Sequence, residues 1–378
     1  MSYDVVAMSE RVLGYYDLPG KLVEVTPCVN GHINDTYRIA MDTGEEFILQ
    51  RINGYVFKEP VKVMENIKAI TLHVENKEAQ GDCNIISFLD SRAGENYVVI
   101  DGDYWRVCQY VQDSITYDFV ENSQVLVSAG YAFGRFQAVL ADFPMEKLHE
   151  TIPGFHNTRK RLADLFQIVV QDPLGRAREI QEEVAFFMEH RELAGRLDEM
   201  LEAGTVPLRV THNDTKYNNI LMHKHTGEPL CVIDLDTVMP GLAMHDFGDA
   251  IRFAANTAEE DEPDLSKVGL NMENYRAFTK GFMSACQGFL TPAEIDTMAL
   301  GAITITIELA SRFLADHING DKYFRIHREN HNLDRARCQI KLAQDMIARC
   351  DEMVAVVKEY VSASDVPDEI ASGRETEY

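Results

Sequence analysis

A short block of β-type sequence inside an otherwise helical second half constrains this chain most. Residues 206–212 read V-P-L-R-V-T-H and predict a strand. A polar run follows, and residues 218–236 then predict a hairpin that turns near Gly227. The fold therefore has to hold a polar loop between a strand and a hairpin, with helices before and after it.

The first third of the chain predicts a small sheet with one helix. Two β-type runs flank a D-T-G turn, so residues 36–52 predict a hairpin. A second hairpin, with a D-G turn, is predicted over residues 97–111. Between them, residues 61–77 carry apolar side chains at helical spacing. The predicted order is strand, strand, helix, strand, strand.

The remainder of the chain predicts mainly helices. The helical segments are expected at residues 123–141, 158–170, 176–203, 274–286, 292–316 and 332–360. The last residues, from 362 on, are polar and acidic and predict a loosely held tail.

Composition excludes several classes of function. The net charge of −25 and the lack of a long Lys/Arg run argue against binding to nucleic acid or to anionic membranes. The N-terminus has no signal-peptide pattern, and no uninterrupted apolar run reaches the ~18 residues of a membrane span. The seven scattered cysteines form no C-x-x-C motif, so neither a disulfide framework nor a zinc site is predicted. A reducing cytoplasm fits this pattern best.

The polar loop supplies the groups that phosphoryl transfer needs. Asp214 can accept the hydroxyl proton of an attacking substrate. The amide of Asn219 and the carboxylate of Asp234 are hard oxygen ligands suited to Mg²⁺. Lys216 can reach the γ-phosphate and offset its charge. We therefore predict Asp214 and Lys216 as catalytic residues and Asn219 and Asp234 as metal ligands.

The string H-x-D-x-x-x-x-N, followed by I-D on the next strand, is formed here by His212, Asp214, Asn219 and Asp234. It resembles the catalytic segment of the kinase-like phosphotransferases that act on small molecules, the superfamily of aminoglycoside phosphotransferase and choline kinase. The resemblance implies ATP as co-substrate, Mg²⁺ as cofactor and an α+β, bilobal protein-kinase-like fold. Its N-terminal lobe would be an antiparallel sheet plus helix, and its C-terminal lobe mainly helical.

On this basis we expect three parts of the chain. Residues 1–111 form the ATP-binding lobe, residues 112–361 form the catalytic and substrate lobe, and residues 362–378 form the tail. The partners would be ATP and a small-molecule substrate. The sequence leaves the oligomeric state open.

Within this superfamily, longer segments resemble the N-acetylhexosamine 1-kinases. These segments read GHINDTY, FILQR, DGDYWRV, LRVTHNDTKYNNILM, VIDLDTVMPG, HDFGDAIRF and RFLADHINGDKYF. The resemblance implies phosphorylation of the anomeric hydroxyl of N-acetylglucosamine or N-acetylgalactosamine, with Asp214, Arg312 and Tyr323 contacting the sugar. The preference between the two sugars stays open.

The nucleotide-binding residues depart from the protein-kinase pattern. Where that pattern has a lysine on the third strand, this chain has Gln50 and then Arg51. Strict alternation turns these two side chains to opposite faces, and we take Arg51 as the phosphate-binding one, with Glu65 as its helix partner. The other expected nucleotide contacts are Gly31 and His32 in a reduced glycine turn, and Gln109, Tyr110 and Val111 in the hinge at adenine.

A literal D-F-G tripeptide begins at Asp246, but Asp234 is the better match to the metal ligand because it ends the strand that returns beside the loop. We expect Asp246 to brace the loop from behind, and His212 to be a structural hydrogen-bonding residue rather than a general base.

Two other functions stay open. The first is the same chemistry on another alcohol: a choline site would need an aromatic cage, an aminoglycoside site would need many acidic groups, and homoserine is a third candidate. The second is a non-catalytic nucleotide-binding module, which the missing third-strand lysine favours and the complete loop disfavours.

Overall fold

The computed structural model describes residues 4–28, 33–77, 84–117, 122–286 and 288–361. Gly31 and His32, expected in a phosphate-covering turn, lie outside these residues, and so does the predicted tail over 362–378. The other predicted site residues all lie within the described ranges.

The N-terminal part is an antiparallel sheet in the order β1-β2-β3-β5-β4. Its strands are β1 (Leu22–Pro27), β2 (Asp35–Met41), β3 (Glu46–Arg51), β4 (Val98–Ile100) and β5 (Asp103–Gln109). Both predicted hairpins are confirmed. The second turns through Asp101 and Gly102, which have φ angles of 54° and 89°, as two-residue hairpin turns require.

Two elements of the N-terminal part are not predicted from the sequence. Helix α1 (Val5–Leu13) is short and begins at Asp4, whose carboxylate accepts hydrogen bonds from the N–H groups of Val6 and Ala7 at 3.0 and 3.2 Å. Strand β1 forms the edge of the sheet and is largely exposed, so it lacks the alternation that marks a half-buried strand.

The sheet separates two apolar layers. Leu49, Trp105 and Val107 belong to a cluster with α1 on one face. Helix α2 (Pro60–Glu75), predicted over residues 61–77, covers the other face and joins the core shared with the rest of the chain. Because Gln50 and Arg106 are cross-strand neighbours one residue out of phase with Leu49 and Val107, they face this second layer.

The chain leaves the sheet after Gln109 and enters the predicted β island. Strand β6 (Ser114–Ile115) pairs with β8 (Ile220–His223), which pairs with β9 (Pro229–Val232). Strand β7 (Arg209–Thr211) pairs with β10 (Met239–Gly241). The predicted hairpin turn at Gly227, with a φ of 72°, is confirmed.

Helices form most of the remainder. They are α3 (Ser123–Val139), α4 (Thr158–Gln171), α5 (Gln181–Glu189), α6 (Arg191–Ala194), α7 (Arg196–Glu202), α8 (Ala243–Ala254), α9 (Met272–Ala285), α10 (Pro292–Asp296), α11 (Met298–Ile318), α12 (His331–Ala348) and α13 (Cys350–Val361). Three predicted long helices are each divided into shorter ones, and α8 is not predicted.

Helix α11 is the centre of the helical part and packs against α4, α8 and α12. By length and a mean hydropathy of 1.5 it could cross a membrane, but 78% of that apolar window is buried inside the fold. It is therefore accounted for as a core helix. The antiparallel sheet with its helix, followed by a mainly helical part, confirms the predicted α+β class.

Candidate active site

The polar loop is held between two pairs of strands. It starts after β7, whose partner β10 closes it from one side, and ends at β8. Asn213, with a φ of 63°, turns the chain so that Asp214 leaves the strand direction. The amide of Asn213 donates to the carbonyl of Thr237 at 2.9 Å and fixes this turn.

His212 is a buried support of the loop. Its imidazole lies between Phe133 and Phe136, at ring-centroid distances of 5.6 and 5.7 Å. Its Nδ1 accepts the N–H of Asp214 at 3.3 Å, so the proton on Nε2 is directed to the carbonyl of Ile233 at 2.9 Å. Both ring nitrogens are therefore occupied by backbone groups.

Asp246 lies in the first turn of α8 and contacts the loop from behind. Its two carboxylate oxygens accept the N–H groups of His212 and Asn213, both at 2.8 Å, and one also accepts the amide of Gln137 at 2.7 Å. The carboxylate is 1% exposed, and burial, as the largest influence, raises its pKa. Asp246 therefore holds the backbone of His212 and Asn213 in place from the buried side of the loop.

Asp214 lies with Lys216 and Asn219 at the front of the loop. The ammonium of Lys216 is 3.1 Å from Oδ1 of Asp214, and the amide of Asn219 donates to Oδ2 at 3.1 Å. Burial would raise the pKa of Asp214, but Lys216, His212 and these hydrogen bonds outweigh it and lower the pKa. The carboxylate is therefore ionised and can accept a proton.

Asp234 follows β9 in a left-handed conformation, with a φ of 59°. In the described part of the chain no side chain hydrogen-bonds to or pairs with its carboxylate. Burial, and then the negative charges of Asp236 and Asp214, raise its pKa from 3.8 to about 6. An unpaired carboxylate in a negative surrounding is suited to a cation.

The oxygen atoms that Asp234 and Asn219 offer are too few to bind Mg²⁺ unless a further ligand supplies the remaining oxygens. One carboxylate and the amide oxygen of Asn219 are hard donors. Within the described ranges, no group of three or more His, Cys, Asp or Glu side chains could hold a metal ion. Mg²⁺ characteristically binds through one or two carboxylates plus substrate phosphates, so this sparse set fits a metal that arrives with a nucleotide.

Arg106, which the sequence reasoning missed, joins the sheet to this site. Its guanidinium contacts both oxygens of Asp236, at 2.5 and 3.0 Å, and its Nε donates to Gln50 at 2.9 Å. Arg106 and Asp236 are 1% and 2% exposed. The available signal was an arginine at an inward-facing position of a predicted strand.

The expected orientation of the third strand is corrected by the structure. Arg51 forms ion pairs with Asp35 and Asp103, on the face of the sheet opposite to Gln50. Glu65 is exposed and pairs with His149 at 2.8 Å, so it is not the partner of Arg51. Strand pairing determines this result, because Arg51 shares its face with Leu49.

The segment proposed to meet adenine is the link between the sheet and the rest. Gln109 ends β5, and the N–H of Tyr110 donates to the carbonyl of Glu46 at 3.0 Å. The carbonyl of Val111 accepts the hydroxyl of Ser114 at 2.7 Å. These residues thus lie at the junction of the two parts.

Arg312 is on α11, among aromatic rings. Its guanidinium lies 5.3 Å from the ring of Phe155, 5.9 Å from Tyr323 and 5.6 Å from Phe324. The structure thus places Arg312 and Tyr323 side by side. Burial, and then the charge of Arg312, lower the pKa of nearby Arg161.

A buried pair, also missed, links this cluster to the loop. His156 lies 3.0 Å from Oε1 of Glu308 and 3.3 Å from the carbonyl of Asn213. Glu308 also accepts the hydroxyl of Thr158 at 3.0 Å. Since Asn213 directly precedes Asp214, this pair connects α11 to the front of the loop.

Comparison with known proteins identifies one family and several similar folds. The family model described as "Phosphotransferase enzyme family" (APH) matches residues 24–278. A microcompartment-associated aminopropanol kinase is similar with a TM-score of 0.61 and 15% identity, covering 92% of this chain and 98% of its own.

Two further structures are similar over most of their length. An amicoumacin kinase, in complex with AMP-PNP, Ca²⁺ and Ami, has a TM-score of 0.58 and 14% identity and covers 90% of this chain and 93% of its own. Choline kinase from Cryptosporidium parvum Iowa II has a TM-score of 0.56 and 13% identity, with 95% and 99% covered. At these identities the likeness shows the fold, and it confirms the protein-kinase-like architecture.

Proposed function

Because the chain belongs to the phosphotransferase enzyme family, we propose that it transfers the γ-phosphoryl group of ATP to the anomeric hydroxyl of an N-acetylhexosamine. As a member of that family it is a small-molecule phosphotransferase of the kinase-like type. The choice of the sugar as acceptor and the roles of individual residues are our proposal. The products would be the sugar 1-phosphate and ADP.

The observation that carries the proposal is the arrangement at the front of the loop. Asp214 is ionised beside Lys216 and Asn219, and Asp234 is an unpaired carboxylate near it. In the proposed reaction Asp214 accepts the proton of the hydroxyl as its oxygen bonds to the γ-phosphorus and the bond from phosphorus to ADP breaks. Lys216 offsets charge on the phosphoryl oxygens.

Asn219 and Asp234 are the residues that would hold Mg²⁺. The ion would neutralise charge on the β- and γ-phosphates when bound. The raised pKa of Asp234 supports this role, because a nearby cation favours the charged form of a carboxylate that its neighbours disfavour.

We assign the nucleotide to the space between residues 1–111 and residues 112–361, with Gln109, Tyr110 and Val111 at the adenine. The backbone of this link, rather than its side chains, would meet the base.

The described cysteines are all free, which supports the proposal of a reducing cytoplasm.

We propose Arg312 and Tyr323 as contacts to the sugar. Arg312 has no carboxylate partner in an ion pair within the described ranges, so its donors are available to a polyol or an acetamido oxygen. The same observation disfavours choline. The aromatic rings that could enclose a quaternary ammonium already surround a guanidinium, which would repel it.

The experiment is a coupled ADP-release screen over free hexoses, N-acetylhexosamines, choline, homoserine and aminoglycosides. We expect turnover with N-acetylglucosamine or N-acetylgalactosamine, and its loss in the Asp214→Asn variant. Turnover with choline or an aminoglycoside alone would show that the proposed acceptor is wrong, while the assignment of the protein as a kinase would stand. Binding of ATP with no turnover of any acceptor would favour a non-catalytic nucleotide-binding module.

A further inference from the structure

A buried ion pair joins the N-terminal sheet to the segment that carries Asp234. Arg106 on β5 contacts Asp236 through two nitrogens and two oxygens, and the residues are 130 positions apart in the chain. A planar guanidinium that meets a carboxylate with two bonds fixes both the distance and the orientation of its partner. Asp236 is therefore held in one place relative to the sheet.

The guanidinium is itself held on its remaining sides. Its Nε donates to Gln50, its Nη1 lies 3.6 Å from the sulfur of Met64, and it stacks on the ring of Phe88 at 4.3 Å. These contacts come from β3, from α2 and from the segment before β4. Contacts within the N-terminal part therefore fix the position of the Arg106 guanidinium.

Asp236 receives a second contact from the N-terminal part. The amide of Asn34, at the start of β2, donates to Asp236 at 2.7 Å, and the amide oxygen of Asn34 accepts the N–H of Asn53 at 3.0 Å. Asn34, which directly precedes β2, is therefore tied to the same carboxylate. Asp236 is the point at which β5 and the residue before β2 meet the segment after β9.

We propose that Arg106 and Asp236 are positioning residues that hold Asp234 in its metal-binding orientation. This rests on the proposed function of Asp234. One residue, Leu235, separates Asp234 from Asp236. Asp234 has a left-handed backbone conformation that its own side chain does nothing to fix. An anchor two residues away restrains that conformation.

Charge supports the same role. Asp214, Asp234 and Asp236 lie close enough to affect one another, and Arg106 is the cation that the sheet contributes to this group. Because both oxygens of Asp236 are bound to Arg106, Asp236 is unavailable as a ligand. Asp214 is paired with Lys216 and Asp236 with Arg106, so among these three carboxylates that of Asp234 has no ion-pair partner within the described ranges.

The test measures metal binding directly, apart from turnover. Mn²⁺ is titrated into the protein with a non-hydrolysable ATP analogue, and the free ion is followed by electron paramagnetic resonance. Outer residues that orient metal ligands change metal affinity by about 10- to 100-fold, so Arg106→Lys and Asp236→Asn should weaken Mn²⁺ binding by about that factor. Arg106→Lys keeps the charge and loses only the two-bond geometry. The KM for the acceptor should stay unchanged.

Glu294→Gln is the matched control. Glu294 is fully buried and forms a two-bond pair, at 2.9 and 2.8 Å, with Arg209 at the start of β7, whose side chain is 17% exposed. This variant should lower the melting temperature and leave Mn²⁺ affinity at the wild-type value. If a single variant at Arg106 does not fold, the double variant Arg106→Gln with Asp236→Asn removes both buried charges and should fold with weak Mn²⁺ binding.

Wild-type Mn²⁺ affinity in Asp236→Asn and in the double variant, with a lowered melting temperature, would overturn the inference and leave the proposed function intact. If the wild-type protein binds no Mn²⁺ with the analogue and phosphorylates no acceptor, both the proposed function and this inference fail.

Discussion

Replacing Asp246 by Asn should destabilise the protein, because the carboxylate accepts two buried backbone N–H groups, those of His212 and Asn213. An amide has one acceptor oxygen, so its NH₂ must face one of these donors. A buried donor without a partner costs ~1–3 kcal/mol. Gln137 can turn its unpartnered Oε1 toward the new amide, and the replacement also removes a charge that burial disfavours. Both effects offset part of the cost and keep the expected loss near ~1 kcal/mol.

The same replacement at Asp234 should have the opposite effect on the metal-free protein. Folding raises the pKa of Asp234 from 3.8 to about 6, because burial and the neighbouring carboxylates disfavour its charge. Two pKa units correspond to ~3 kcal/mol of destabilisation, which develops as the pH rises from ~4 to ~6 and persists above that. Asp234→Asn removes this charge, so the variant should be more stable than wild type in EDTA at neutral pH.

The assay is urea unfolding in EDTA at about pH 4 and at neutral pH, together with the Mg²⁺ dependence of turnover. Asp246→Asn should lower stability and kcat while the half-maximal Mg²⁺ concentration stays close to wild type. Asp234→Asn should gain stability at neutral pH and lose turnover or need far more Mg²⁺. The reverse ranking of Mg²⁺ dependence would show that the wrong aspartate was assigned. A less stable Asp234→Asn in EDTA would refute the electrostatic argument.

Three further changes have defined outcomes. Asp214→Asn should lower kcat by roughly 10²–10⁴-fold in single-turnover assays while ATP and sugar still bind. Burial opposes ionisation of Glu308, but His156 lowers its pKa to about 2. The protein should therefore lose ~3 kcal/mol of stability as the pH falls from ~4.5 to ~2. Urea unfolding of the Glu308→Gln variant should lack this pH-dependent loss. In Gly248→Ala the new methyl would lie 2.6 Å from the backbone of Gly301, so unfolding should be easier by ~1–3 kcal/mol or more, with a lower melting temperature.

The hairpins and the β island follow from the sequence because their signals are local. An Asp-Gly or Thr-Gly turn between alternating strands specifies the pairing of residues a few positions apart. The loop from His212 to Asn219 is found for the same reason. Its side chains lie together in the chain, and the returning strand that brings Asp234 is the next one.

Helix α8 is not predicted because its local signals favour a turn. It follows Pro240 and Gly241 and contains the D-F-G tripeptide at Asp246. Its stability comes from burial instead, since residues 243–252 are buried and Gly248 lies against α11. Tertiary packing of this kind overrides local preference.

The partners of the site are missed where they are distant in sequence. Arg106 and Asp236 are 130 residues apart, and His156 and Glu308 are 152 apart, so no local pattern reports either pair. The wrong face chosen for Arg51 has the same origin. Alternation shows that Gln50 and Arg51 point apart, but the position of α1 and α2 decides which of the two faces the site.

Phosphorus NMR of the product tests the central claim most directly. With ATP, Mg²⁺ and N-acetylglucosamine we expect a phosphate coupled to the anomeric proton. The 1-O-methyl glycoside should be inert, because it lacks the reacting hydroxyl, and the 6-deoxy analogue should still react. Turnover of the methyl glycoside, or phosphate at C6, would contradict the assignment of the anomeric hydroxyl as the acceptor.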